Sequence, residues 1–537
     1  MMTGVPSSFA EQQFAQLNTE NFSNLLDAFE RACAEFAEKP AFHCLGQSLT
    51  FADIDRLSAQ FGGFLFAHCG LERGDRIAIQ LPNLNQFPIA VWGALRAGLT
   101  IVNTNPMYTA REQIHQFNDL GASALVVLTD LLPITEQVVP QTAIKTVIAT
   151  HTLDLINPQT LPPSSLASLV DFNQALALGV SVELPRLMTT MQDLAVLQYT
   201  GGTTGPAKGA MLSHGNVFAG TRMSKLSVAL DAYSDEILIA PMPLYHVFGF
   251  TMNVIGGFLY GGLSVLIPDP RDIDGLVKTM AAFKFTSMVS VNTLLQGLMA
   301  HRDFDSIDFS AVKGIIAGGT ALVKEIGDQW RERTASEIYE GYGLSETSAV
   351  LTCNSPDAAR VGTVGKAMVA EEIKIIDARS ESVAAGCAGE ICVRGPQVMG
   401  GYWQRPEATA EAIDAAGWFR TGDIGTLDDD GYVRIVDRLK DMVIVSGFNV
   451  YPNEIEGVVY GHPDITECAA IGIKDDKTGE AILLYVVSTN PQLTADEIQR
   501  FCRRQLTAYK VPRMVKFSQE LPKSPAGKIL RRALRDQ

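Results

Sequence analysis

A chain of 537 residues with 47% hydrophobic and 19% charged content has material for several packed cores and lies outside the disordered class, so two to four domains are expected. Its net charge of −16 argues against a nucleic-acid-binding surface, which needs clustered Lys and Arg to meet phosphates. Eight cysteines without a C-x-x-C pair and eight histidines without H-E-x-x-H argue against a disulfide framework or a zinc site and point to a reducing compartment.

Before Arg31 there is no lysine or arginine and no apolar run of signal-peptide length, so neither a secretory signal nor an Arg-rich transit peptide is expected, and the address that follows is cytoplasmic. From Arg76 onward, short β-rich runs at 76–81, 99–102, 124–129 and 146–150 alternate with helix-length segments at 86–97 and 111–120. That alternation predicts an α/β fold with a largely parallel sheet. The apolar stretch 251–267 is cut by Gly256-Gly257 and Gly261-Gly262 into pieces shorter than the roughly 20 residues of a membrane-spanning helix, so a buried helix followed by a strand is expected there.

A second register begins after the charged stretch Asp437-Arg438-Leu439-Lys440-Asp441, the expected hinge between a domain of residues 1–437 and one of residues 438–537. A strand is expected at 442–445, and Asn453 opens a helix with Ile455, Val458 and Val459 on one face, closed by Gly461 and Pro463. Thr494 and Glu497 form a capping-box pattern before Ile498, Phe501 and Cys502. This part therefore reads as a small α+β domain. From Ile498 to Gln537 eleven basic residues stand against two acidic ones, a local balance of +9, which fits either a solvated helical face with a basic tail or an anion-binding end.

The strongest chemical signal is the stretch 199–209, Tyr-Thr-Gly-Gly-Thr-Thr-Gly-Pro-Ala-Lys-Gly. Gly201, Gly202, Gly205 and Gly209 let backbone N–H groups turn toward an anion, while Thr200, Thr203 and Thr204 offer hydroxyls and Lys208 a positive charge, so the stretch reads as a phosphate cradle. A Walker A loop needs Gly-Lys-Ser/Thr to place a hydroxyl on Mg²⁺, whereas Lys208 lies between Ala207 and Gly209. Taken alone, the stretch also leaves a plain surface turn open.

Five further motifs follow in order: Pro243-Leu244-Tyr245-His246, Glu340-Gly341-Tyr342-Gly343-Leu344-Ser345-Glu346-Thr347, Arg420-Thr421-Gly422-Asp423, Asp437-Arg438-Leu439-Lys440, and Pro522-Lys523-Ser524-Pro525-Ala526-Gly527-Lys528. With 199–209 they make the chain resemble the adenylate-forming enzymes, which include acyl-CoA synthetases, aryl-CoA ligases, luciferases and peptide-synthetase adenylation domains. The likeness runs from Leu49 to Lys528 and is narrower toward bacterial long-chain fatty-acyl-CoA synthetases, through 417–440 and 446–456. Arg420 stands where that group often has histidine, and Leu439 where it often has lysine.

The resemblance implies a large, multi-subdomain N-terminal α/β domain and a small, mobile α+β C-terminal domain. It implies a two-step reaction: a medium- to long-chain fatty acid and Mg·ATP give acyl-AMP and pyrophosphate, and coenzyme A then displaces AMP. An aryl-CoA ligase, an enzyme loading an acyl carrier protein, and a non-catalytic acyl- or nucleotide-binding relative are the alternatives. Contact with a membrane's inner face and a homodimer are partner arrangements left open.

Joining a carboxylate to ATP brings two anions together, so a cation and a metal are both expected at the reacting centre. The resemblance gives Lys528 the first role, and Glu346 with Thr200 the Mg²⁺. It sets Tyr342, between Gly341 and Gly343, against adenine with Gly319, Thr320 and Ala321 on the other side, and it sets Asp423 on the ribose and Arg438 on the ribose or a phosphate. His246 is placed beside the substrate carboxylate, with Phe250 gating an acyl tunnel that Val291 and Leu294 line; core packing is the competing role for these apolar residues. Lys440 is implied as the pivot that withdraws Lys528 and brings Ser446, Gly447 and Phe448 to the pantetheine arm. The basic C-terminal end would then meet CoA phosphates or an anionic membrane surface.

Overall fold

Runs of β-branched residues with apolar side chains on both faces build strands that must be covered on both sides, and helices supply the cover. The computed structural model describes residues 8–200, 207–228, 235–319, 322–446, 448–475, 477–523 and 529–535. Among them the strands form four sheets. One has seven strands, in the order Leu169–Asp171, Thr146–Thr150, Ala122–Leu128, Arg76–Gln80, Thr100–Asn103, Leu194–Thr200, Lys208–Ser213, all parallel except the last. Alternate residues explain the layering: Ile77 and Ile79 face a core shared with the second large sheet, while Ala78 faces a separate outer core with Val102, Leu125 and Leu197.

The second large sheet has nine strands, with Pro40–Cys44, Leu263–Leu266, Ile237–Ala240, Ser287–Ser290, Gly314–Ala317 and Ile338–Tyr342 running parallel and short antiparallel strands at both edges. Between the two sheets lies helix Gln86–Arg96, buried from Gln86 to Leu95. Its Trp92 ring stacks on Phe29 with centroids 4.3 Å apart, and Phe29 stacks on Phe258 at 5.1 Å. Stretch 251–267 is a buried helical turn, Phe250–Gly257, wound wider than an α-helix, followed by strand Leu263–Leu266. No helix among the described residues is long and apolar enough to cross a membrane.

The third sheet is antiparallel, in the order Glu372–Ile376, Gly389–Arg394, Phe419–Leu427, Val433–Arg438. The fourth has five strands, Phe448–Val450, Val443–Val445, Gly479–Ser488, Ile465–Asp475 and Met514–Phe517, and carries helices Pro452–Tyr460 and Ala495–Arg503 on one face. The chain is thus an α/β protein with a large N-terminal part and a smaller α+β C-terminal part. The capping box of Thr494 and Glu497 is present. The preceding helix starts one residue before Asn453, because Pro452 supplies the fixed φ of a first helical position.

His214, where strand Lys208–Ser213 passes into helix His214–Val228, is 3% exposed, and its Nδ1 accepts the Leu25 N–H at 3.4 Å. Burial drives its imidazole down to about 4. The unfolded chain therefore binds a proton here at higher pH than the folded one does, and stability is lost as pH falls from about 6.5 toward 4, by up to ~3 kcal/mol. His214→Gln is expected to flatten the pH dependence of the urea midpoint across that window; an unchanged acid limb would show that His214 does not carry it.

Candidate active site

Open α/β sheets leave a crevice at the carboxyl ends of their parallel strands. Pro243–His246 follows strand Ile237–Ala240, Val291 follows Ser287–Ser290, Gly318 and Gly319 follow Gly314–Ala317, and Gly341 and Tyr342 end Ile338–Tyr342. From the seven-stranded sheet, Leu194–Thr200 ends at Thr200, and the chain returns as Lys208–Ser213 with Thr200 opposite Lys208. Two buried amides join the sheets at this place. Gln198 donates to the Tyr245 carbonyl at 3.1 Å, and Asn83 donates to the carbonyls of Ala240 and Met242, each at 2.9 Å, while accepting the Leu244 N–H at 2.8 Å.

Asp423 and Arg438 are cross-strand partners in the third sheet. The Tyr342 hydroxyl donates to Asp423 Oδ2 at 2.6 Å and Arg438 Nε lies 3.3 Å from Oδ1, so this buried carboxylate fixes both the ring and the guanidinium. Burial, then the Asp423 charge, raises the Tyr342 hydroxyl well above its ordinary range and keeps it a donor. Gly343 admits no side chain: an added Cβ would lie 1.5 Å from the Ala349 carbonyl oxygen, because the chain folds back there. Ser348 and Ala349 have φ of 54° and 107°, and the Ser348 hydroxyl on the Gln397 carbonyl at 3.0 Å helps hold this costly backbone.

Glu346 sits in the turn Ser345–Thr347, packed against strands Leu194–Thr200 and Lys208–Ser213. Burial raises its carboxyl, and the Tyr402 hydroxyl donates to Oε1 at 2.8 Å. The Lys208 ammonium lies 5.0 Å from the centroid of the same Tyr402 ring. Tyr402 belongs to a strap, 399–405, laced to its surroundings by backbone bonds. The Met399 N–H donates to the Glu346 carbonyl at 2.8 Å, Gly400 to Met211 at 2.9 Å and Trp403 to Gly209 at 2.8 Å, while Arg405 pairs with Asp119, which also accepts the Tyr199 hydroxyl at 2.6 Å.

His246 caps the short turn Val247–Gly249, its Nδ1 accepting the Phe248 N–H at 3.3 Å. Phe250 is 1% exposed in the core between the sheets, and Leu294, with Val291 packed beside it, belongs to the core on the far face of the nine-stranded sheet. Ser446 has φ 53° and is exposed; Phe448 is 55% exposed and stacks on Tyr509 at 4.8 Å. Lys440 is exposed in the turn after Arg438. Gly201, Gly202, Thr203, Thr204, Gly205, Thr320, Ala321, Gly447 and Lys528 lie outside the described residues.

Around Lys440 the chain is tied by Arg531. Its guanidinium is 14% exposed and lies 3.2 Å from Asp437, 3.2 Å from Asp441 and 2.7 Å from Glu456, and it also donates to Asn453. Arg535 adds a bond to Asp441 at 2.7 Å, and the Asn453 N–H donates to Asp437 at 2.7 Å.

Residues 29–403 match the family described as AMP-binding enzyme, and residues 454–528 match the AMP-binding enzyme C-terminal domain. The chain belongs to the AMP-binding enzymes. It is 43% identical to a long-chain-fatty-acid–CoA ligase of Salmonella typhimurium, over 97% of this chain and 96% of that one. Among solved structures it is similar to the anthranilate CoA ligase AuaEII in complex with anthranoyl-AMP (25% identity, 96% of this chain and 97% of that one, TM-score 0.86). It is also similar to ATP-bound MatB of Rhodopseudomonas palustris (27% identity, 96% and 98%, TM-score 0.85).

In this AMP-binding enzyme the groups that reading along the sequence passes over are Asn83, Gln198, Tyr402 and Arg531. Only Tyr402 carries a local signal, the Gly400-Gly401 pair before two aromatics, where Gly401 has φ 127° and an added Cβ would lie 2.5 Å from Thr409.

Proposed function

We propose that this chain is an AMP-forming ligase that activates a medium- to long-chain fatty acid and passes it to coenzyme A. The single observation that supports it most is the 43% identity to a long-chain-fatty-acid–CoA ligase over 97% of the chain. The contacts of Tyr342 with Asp423, of Asp423 with Arg438, and of Tyr402 with both Glu346 and Lys208 support the same reading. In the first step the fatty carboxylate attacks the α-phosphorus of ATP, the bond to the β-phosphate bridging oxygen breaks, and pyrophosphate leaves. Tyr342 offers a face to adenine with Gly319 across from it, and the Asp423 oxygens, each with one partner already, retain lone pairs for the ribose hydroxyls. The loop of Thr200 to Gly205 with Lys208 takes the departing phosphates, and Lys528 neutralises the reacting oxygens. In the second step the CoA thiolate attacks the acyl carbon and AMP leaves.

The donors fit Mg²⁺, which favours one or two carboxylates with phosphate oxygens: Glu346 presents a half-buried carboxylate beside the strand that ends in the Thr200 hydroxyl. When bound, the ion neutralises phosphate charge as the leaving group departs. His246 orients the fatty carboxylate, and Phe250, Val291 and Leu294 border the acyl path. Residues 1–437 and 438–537 act as two units that rotate about Lys440 between the steps, and Ser446, Gly447 and Phe448 then meet the pantetheine. Arg500, Arg503 and Arg504, exposed on helix Ala495–Arg503 and just beyond it, are the basic residues offered to CoA phosphates or an anionic membrane surface.

ATP–pyrophosphate exchange across octanoate, palmitate and coumarate tests the substrate class. Palmitate or octanoate is expected to support exchange at least about tenfold better than coumarate, a discrimination of the size that a fitted apolar pocket gives; preference for the aromatic acid would overturn the reading.

A further inference from the structure

We propose that Tyr402 is a positioning residue that holds the Glu346 carboxylate and joins it to Lys208, so that the metal ligand and the phosphate-loop cation are set by one phenol ring. The inference rests on the proposed metal role of Glu346. Its two contacts come from different parts of the side chain: the hydroxyl donates to Glu346 Oε1 at 2.8 Å, and the ring lies 5.0 Å from the Lys208 ammonium, within the range of a cation–π contact. Glu346 follows the strand Ile338–Tyr342 of one sheet, and Lys208 opens the strand Lys208–Ser213 of the other. Tyr402 therefore spans a junction between sheets at the point where phosphate is to be held.

The backbone under Tyr402 gives it no freedom to follow either partner. Its N–H donates to the Thr409 hydroxyl at 2.9 Å, its neighbours are bonded to Met211 and Gly209, and Met399 is bonded to the Glu346 carbonyl. A tyrosine hydroxyl can donate where a carboxylate oxygen can only accept, so in this pair the phenol is the donor. A donor behind a metal-binding carboxylate fixes which oxygen faces the ion, and loss of such a partner costs roughly 10–100-fold in metal affinity.

The test compares Tyr402→Phe, Tyr402→Leu and Glu346→Gln in the full-length protein. Tyr402→Phe keeps the ring and the strap and removes only the donation. The Mg²⁺ concentration for half-maximal ATP–pyrophosphate exchange is expected to rise about tenfold, with the rate at saturating Mg²⁺ within about twofold of the parent. Binding of Mn²⁺ in the presence of a non-hydrolysable ATP analogue, read from the EPR signal of free Mn²⁺, is expected to weaken by the same factor. Tyr402→Leu, which also removes the ring beside Lys208, is expected to add a rise in KM for ATP that Tyr402→Phe lacks. If Glu346→Gln weakens Mn²⁺ binding and Tyr402→Phe does not, the positioning role is overturned while the metal role stands. If Glu346→Gln leaves Mn²⁺ binding intact, the metal role itself fails. A uniform fall in rate at every Mg²⁺ concentration, with unchanged Mn²⁺ binding, would reduce Tyr402 to packing.

Discussion

Lys528→Ala is expected to lower fatty-acid-dependent ATP–pyrophosphate exchange by a factor on the order of 10²–10³ while leaving the conversion of synthetic palmitoyl-AMP and CoA to thioester near the parent rate. The asymmetry follows from charge. Adenylation drives a carboxylate onto a phosphate that is already anionic, so it needs a cation between them; thiolate attack on the acyl-adenylate starts from a neutral acyl carbon and expels AMP. Of the described residues nearest Lys528 in sequence, Lys523 pairs with Ile529 and with Glu467, the Leu530 N–H donates to the Pro522 carbonyl at 2.8 Å, and Leu534 is buried against Ala469, Ile471 and Tyr485. Equal loss in the two half-reactions would refute a role confined to the first step and, with it, the proposed rotation about Lys440.

Arg531→Ala is expected to destabilise the C-terminal part by ~3–5 kcal/mol, because it strips the shared cation from three carboxylates gathered around a buried position, of which Arg535 pairs with Asp441 alone among the described ion pairs. Burial already raises the carboxyls of Asp437 and Glu456, and the Arg531 charge is what holds them down. Without it both rise further, and a carboxyl with a raised folded-state value favours the folded chain at low pH and penalises it as pH increases. The gap in urea midpoint between parent and variant is therefore expected to be widest above neutrality and to narrow as pH falls toward about 5. A gap that stays constant with pH would mean that lost packing, not stranded charge, is the cause. Arg531→Lys is expected to recover part of the loss, since a single ammonium replaces a planar fork that reaches several carboxylates at once.

The basic C-terminal stretch illustrates what a linear reading can and cannot carry. Counted along the chain it is a +9 segment, yet Lys510, Arg513, Lys523, Arg531 and Arg535 are each paired with a carboxylate that lies upstream, between Asp437 and Asp475. Charge counting within a window misses partners that folding brings in from outside it. Strands such as Thr146–Thr150 and helix Ala110–Leu120 were legible because their signals, an apolar β-branched run and a 3.6-residue period, are local. The same holds for the motifs proposed to face the nucleotide, whose glycines declare a backbone that tolerates no side chain, as at Gly343. Asn83 and Gln198 were not legible, since each acts across a junction between elements 47 to 161 residues apart and nothing nearby in the sequence sets them off from ordinary polar residues; Tyr402 had only the Gly400-Gly401 pair beside it, which marks a bend but not its partner Glu346, 56 residues upstream.

The residues proposed to border the acyl path are rooted in different cores: Phe250 in the one between the two large sheets, Val291 and Leu294 in the one beyond the nine-stranded sheet. Changes of volume on one wall are thus absorbed by neighbours that the other wall does not share. The proposed path can therefore be reshaped from the Val291 and Leu294 side, whose core does not include Tyr342, whereas a change at Phe250 is felt by the core against which Tyr342 and Tyr402 also pack.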